Sequence, residues 1–165
     1  ASYCNGEFVY EPNLAWSRSR EGLIDVSGNV VHQPTSPQLR SGDGEKASVT
    51  FQHFSPYVIC GDPVDDANPM SAKATDGFVV EGVRVGDLLC EISADQGQTW
   101  QAVELPAGEP SFRVDLTEHV KGRYGWYMRF SWTRDAGLDA VKFTTITQVS
   151  QAIYPRLTPN GCDAV

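Results

Sequence analysis

Apolar and polar residues take turns along much of this chain. Ala47, Val49 and Phe51 alternate with Ser48, Thr50 and Gln52, and Leu88, Cys90 and Ile92 alternate with Leu89, Glu91 and Ser93. A period of two sends one set to a buried face and the other outward, so each stretch is predicted to be a half-buried β-strand. The clearest case is Tyr124 to Trp132, where Trp126, Met128, Phe130 and Trp132 share the inward face while Tyr127, Arg129 and Ser131 face out. Further strands are predicted around Phe8–Tyr10, Leu23–Val26, Tyr57–Cys60, Phe78–Val83, Thr99–Glu104 and Phe112–Leu116. The 15 glycines and 10 prolines cut the chain into short pieces, and the longest stretch without either runs from Leu138 to Tyr154. Even there Val141–Thr147 is dense in β-branched residues that suit a pleated surface, so it too is predicted to be a strand. One helical turn is predicted at Asp115–Val120, with Asp or Thr to cap it and Gly122 to stop it. Many short strands and almost no helix predict an all-β fold, a single antiparallel β-sandwich of jelly-roll-like type spanning residues 1–153. Residues 154–165, with Pro155, Pro159 and Gly161, have the composition of a linker-like tail.

Composition supports a folded core: of 165 residues, 41% are hydrophobic and 10% aromatic. The formal charge of −8 and the absence of any run of four Lys or Arg argue against nucleic acid and anionic membrane surfaces as partners. Apolar runs such as Phe78-Val79-Val80 fall far short of the roughly 18–20 residues of a spanning helix. The chain opens at Ala1 without a charged leader and is expected to be a module excised from a longer protein. Its four cysteines, Cys4, Cys60, Cys90 and Cys162, lack the short spacings of a zinc site. They permit three pairings, of which Cys4 with Cys162 and Cys60 with Cys90 suits a sandwich whose ends lie together. Alternatively Cys60 and Cys90 are small buried hydrophobes.

Ser93-Ala94-Asp95-Gln96-Gly97-Gln98-Thr99-Trp100 fits S-x-D-x-G-x-T-W and resembles the Asp-box of sialidases and related proteins. The resemblance implies a tight hairpin in which Asp95 accepts from turn amides, Gly97 takes a positive φ and Trp100 turns inward. A six-bladed propeller, at about 40–50 residues per blade, would need roughly twice this chain, so the likeness carries a hairpin and not a sialidase activity. More broadly, Pro56–Ile59, the hairpin, Asp115–Thr117 and Gly122–Tyr127 follow one another in a layout that resembles non-catalytic β-sandwich modules of bacterial polysaccharide-degrading enzymes. What this implies is a secreted carbohydrate-binding module, itself no enzyme, that holds an attached catalytic domain near its polysaccharide.

Sugars are bound by aromatic faces flanked by hydrogen-bonding side chains. The residues expected to contact ligand are Trp16, in a polar and locally basic stretch with Arg18 and Arg20; Tyr57, at a strand start; Tyr127 and Arg129, on an outward face; and Trp132, at a strand end. Trp100 and Trp126 are assigned to the core, and the inward parity of Trp132 places it there as an alternative. No cofactor is called for; the one metal candidate is Ca²⁺ in the acidic loop carrying Asp62, Asp65, Asp66 and Asn68, with Asp135 and Asp139 a poorer option. The spacing does not follow a D-x-D-x-D-G loop, and acidic turns are commonly just solvated. His32, His53 and His119 are far apart and suggest neither a metal triad nor a nucleophilic dyad, with His53 expected on the polar side or end of a strand. Two other readings compete: a spacer domain that positions its neighbours, and a β-sandwich polysaccharide lyase or hydrolase with a Tyr or His base and an arginine for a uronate.

Overall fold

The computed structural model describes residues 3–16, 22–63, 73–150, 156–158 and 161–163. Its strands are β1 (Tyr3–Tyr10), β2 (Leu23–Val26), β3 (Val30–His32), β4 (Leu39–Ser41), β5 (Ala47–Phe54), β6 (Val58–Ile59), β7 (Asp62–Pro63), β8 (Ala74–Thr75), β9 (Phe78–Val85), β10 (Leu89–Ser93), β11 (Gln101–Val103), β12 (Ser111–Asp115), β13 (Gly125–Trp132), β14 (Gly137–Ser150), β15 (Arg156–Thr158) and β16 (Gly161–Asp163). The helical turn α1 (Thr117–Val120) lies where the sequence predicts it. Its start is fixed from outside, because Asp115 accepts from the Thr117 amide at 3.1 Å and hydroxyl at 2.5 Å.

Every ladder is antiparallel, and the strands form an all-β sandwich. A seven-stranded sheet runs β12-β9-β14-β4-β3, with β1 and β6 also pairing β14, and a five-stranded sheet runs β11-β10-β13-β5-β2. Strands β7 with β8, and β15 with β16, form two separate ribbons. The fourteen-residue β14 is the spine of the first sheet: β9 pairs it from Gly137 to Thr145, and β1 pairs it on the other side from Phe143 to Ser150. A register shift between Leu138 and Ala140 frees Asp139 to accept from the Ser36 hydroxyl at 2.5 Å and the Gln38 amide at 2.9 Å. That carboxylate therefore ties the turn before β4.

Between the sheets Phe51, Phe78, Phe130 and Phe143 are fully buried, joined by Val49, Val80, Ile92 and Met128. Trp126 is the keystone on the five-stranded side. Its ring stacks on Phe78 at 4.5 Å and Phe143 at 4.8 Å, and its Nε1 donates to Thr145 Oγ1 across the core at 3.0 Å. Trp132 is also in the core, 2% exposed, so the expectation that it contacts ligand is corrected: its inward parity in β13 prevails to the end of the strand.

Cys60 and Cys90 are not bonded to each other, contrary to the expected pairing. Cys90 lies mid-strand in the five-stranded sheet, opposite Phe130, whereas Cys60 follows β6 of the other sheet and donates its amide to Ile146. Burial, reinforced by neighbouring Glu91, pushes the Cys90 thiol up to about 12, and it packs as a small hydrophobe. The side chains of Cys4 and Cys162 lie outside the described residues, as do Asp65, Asp66, Asn68, Arg18 and Arg20.

Candidate functional site

Where β5 ends and β13 begins, the outer surface of the five-stranded sheet folds into a cleft of about 620 Å³. Three pieces of chain build it: Gln52-His53-Phe54, the turn Gly122–Tyr124 running into Gly125-Trp126-Tyr127, and the hairpin tip from Ala94 to Gln98. The first two are locked in register, with Gly125 opposite Phe54, Trp126 opposite His53 and Tyr127 opposite Gln52. Gly125 is required by this approach, since a Cβ there would sit 2.3 Å from the His53 carbonyl oxygen. The turn is pinned by backbone bonds from Ser55 to Tyr124 at 3.0 Å, Ile59 to Arg123 at 2.8 Å and Gly122 to Ile59 at 2.9 Å.

The hairpin forms the opposite wall. Asp95 accepts from the Thr99 hydroxyl at 2.5 Å, the Thr99 amide at 2.9 Å and the Ser93 hydroxyl at 2.7 Å, while Gly97 donates its amide to Ser93 Oγ at 2.8 Å. The chain reverses through Gln96 at φ 59° and Gly97 at φ 85°. These bonds, those from Thr99 foremost, hold the Asp95 carboxyl down at about 2, so it is ionised at neutral pH with its oxygens engaged in the turn.

Aromatic rings dominate the remaining lining. Phe54 is 69% exposed and Tyr124 50%, Tyr127 is half-buried, and Gln52, Gln96 and Gln98 bring side-chain amides among them. Asp95 is the one carboxylate and Arg123 the one guanidinium among the described lining residues. Of the five residues singled out in the sequence, this arrangement gathers Tyr127 alone. Trp16 is 61% exposed but elsewhere, at the edge of the described residues, and half-buried Tyr57 follows the Ser55-Pro56 turn without lining the cleft.

Arg129 does face outward, one turn of the pleat beyond Tyr127, but it is committed. Its Nε and one terminal nitrogen each lie 3.1 Å from an oxygen of Glu91, and its guanidinium sits 3.9 Å over the Trp100 ring. This also corrects the inward assignment of Trp100. Glu91 pairs Ala102 and Ile92 pairs Gln101, so the register carries Trp100 to the row of Ser93 and Tyr127 on the outer face, where it lies against Tyr127 at 6.5 Å. The Arg129→Met variant is expected to lose about 1–2 kcal/mol of stability, the partial exposure of the pair limiting the figure. Urea unfolding measures it, and adding Glu91→Gln should restore part of the loss; no loss at all would mean the pair is an idle surface contact.

His53 lies at the end of β5, one of the two places expected for it, but on the core parity of the strand and not on its polar side. It packs between Phe8 at 5.1 Å and Trp126 at 5.9 Å, with Nε2 buried and without a partner among the described residues. Burial pushes its imidazole below the ordinary value of 6.5, so the folded state keeps it neutral. The unfolded chain then binds the extra proton, and stability is present in full above pH 6.5 and declines as the pH falls below it. Unfolding midpoints at successive pH values should show this decline, and His53→Gln should flatten it.

Among the described residues no group of three or more His, Cys, Asp or Glu is placed to hold a metal ion, and no helix is long and apolar enough to cross a membrane. No known family model matches the chain, and no curated protein matches it.

Proposed function

We propose that this sandwich binds a polysaccharide without cleaving it, taking sugar units into the cleft between the β5–β13 corner and the Ser93–Trp100 hairpin. The observation that carries the reading is the pair of solvent-facing rings, Phe54 and Tyr124, set beside Tyr127 and three glutamine amides in one concave place. Pyranose rings present apolar C–H faces edged with hydroxyls; the aromatic planes cover the first and the amides hydrogen-bond the second. Exposed apolar rings in water are costly unless something covers them, and a spacer domain gives no reason for their convergence.

Binding is favoured over hydrolysis by the carboxylate inventory. A glycosidase commonly uses two carboxyl groups across the scissile bond, whereas among the described residues the lining has Asp95 alone, its oxygens held by Thr99 and Ser93. Of the arginines that could neutralise a uronate in a lyase, Arg129 is paired with Glu91, and Arg18 and Arg20 lie outside the described residues. By its likeness of layout to modules of polysaccharide-degrading enzymes, the module would hold an attached catalytic domain on its glycan outside the cell.

The test is affinity electrophoresis of the pure domain through gels containing neutral or acidic polysaccharides. Retardation by one class supports the proposal; free migration in every gel returns the reading to a spacer, and release of reducing or unsaturated ends would make the domain an enzyme.

A further inference from the structure

Phe54 and His53 have a second face. Behind them, away from the hairpin, a further cleft of about 410 Å³ opens between the edge of β1 and the end of β5, with Phe8 at its rim and Tyr10 deeper inside. Gln52, His53, Phe54 and Trp126 line both clefts, so the two are neighbours across one shared wall. Phe8 is 41% exposed and Phe54 and Tyr124 more so, which gives one accessible ring to the first cleft, one to the second and one, Phe54, to both.

Building on the reading above, we infer that the site holds an extended run of several sugar units of an uncharged polysaccharide, which passes over Phe54 from the hairpin cleft into the cleft beside Phe8. Continuity argues for the length. A single sugar needs only one cleft, whereas a chain seated against the outer side of Phe54 meets the second cleft as it continues. Charge argues for the class. Among the described residues, no Lys, Arg, Asp or Glu lines the second cleft. A uronate or sulfated chain would therefore bring its anions against Phe8 and Phe54 with no counter-charge among the described lining residues, and would approach a chain of formal charge −8. In the first cleft the described lining carries one guanidinium, Arg123, and one ionised carboxylate, Asp95, and so has no net formal charge. Neutral sugars meet neither penalty, and their hydroxyls find Gln52 at the junction of the two clefts.

The experiment is calorimetric titration of the domain with neutral gluco-, xylo- and manno-oligosaccharides from disaccharide to hexasaccharide, and with oligogalacturonates of matching length. In one neutral series the hexasaccharide should bind about tenfold more tightly than the disaccharide, and Phe8→Ala should remove that gain while leaving the disaccharide unchanged. Phe8→Leu, which keeps apolar bulk but not the planar face, guards against a folding artefact, and both variants should melt near the unaltered protein. The inference is overturned if disaccharide and hexasaccharide bind alike, if Phe8→Ala leaves the gain intact, or if the oligogalacturonates bind best. These outcomes leave the underlying reading standing so long as Tyr124→Ala weakens retention; if no saccharide binds at all, both fall.

Discussion

The Trp126→Ala variant is expected to lose about 3–5 kcal/mol of unfolding free energy, a large part of the roughly 5–15 kcal/mol that holds a domain of this kind together. The magnitude follows from what the indole touches. It fills the space between Phe78 and Phe143 of the opposite sheet, and its removal leaves a void that β-sheet backbones, fixed by their ladders, cannot close. It also strips Thr145 Oγ1, in a side chain 1% exposed, of its donor. Trp126→Phe separates the two contributions, since it keeps most of the stack and loses only the Nε1 bond; its expected cost is about 1–2 kcal/mol. Urea denaturation with both variants measures the difference. A loss under about 1 kcal/mol for Trp126→Ala would mean that the sheets do not close on this ring.

Removing both solvent-facing rings of the cleft should abolish retention on polysaccharide without touching the fold. Phe54→Ala and Tyr124→Ala are each expected to weaken binding about tenfold, and the double variant about a hundredfold if the rings cover different sugar units. Neither ring belongs to the buried core, so melting temperatures should stay close to that of the unaltered domain. Migration in polysaccharide gels supplies the measurement. Unchanged retardation of the double variant would move the site off this corner, and exposed Trp16 would become the next position to test.

Much of the fold was legible because long strands repeat their signal. β5 and β13 each show several cycles of alternation, and their parity places Val49, Phe51, Trp126, Met128 and Phe130 correctly in the core, while β14 is betrayed by its β-branched density over Val141–Thr147. The short strands show less than two cycles, and β3 and β4, of three residues each around a proline-rich turn, give no period to read. The polar first half of β1, Tyr3 to Glu7, is a strand because β14 offers it a ladder, not because of its side chains. Site residues divide in the same way. Phe54 stands on the outward parity of Ser48, Thr50 and Gln52, so an aromatic at a solvent position was a readable sign of exposure. Tyr124 has the parity of Trp126 and reads as core; it is exposed because it precedes the paired strand, which only the ladder's end reveals. Trp100 faces outward because of the register between β10 and β11, and His53 is enclosed by a ring from β1, both relations between distant segments.

The pairing of β1 with β14 also governs the order in which the molecule can be assembled. Tyr10 meets Phe143 and Tyr3 meets Ser150, so β1 leaves the ribosome well before its ladder partner is made. Such distant closure makes folding slow relative to helical domains of equal size. Until β14 is made, β1 must wait as an unpaired edge, and Phe8, which lines one cleft, reaches its final place only when β14 arrives. The second cleft is thus among the last parts of the surface to form.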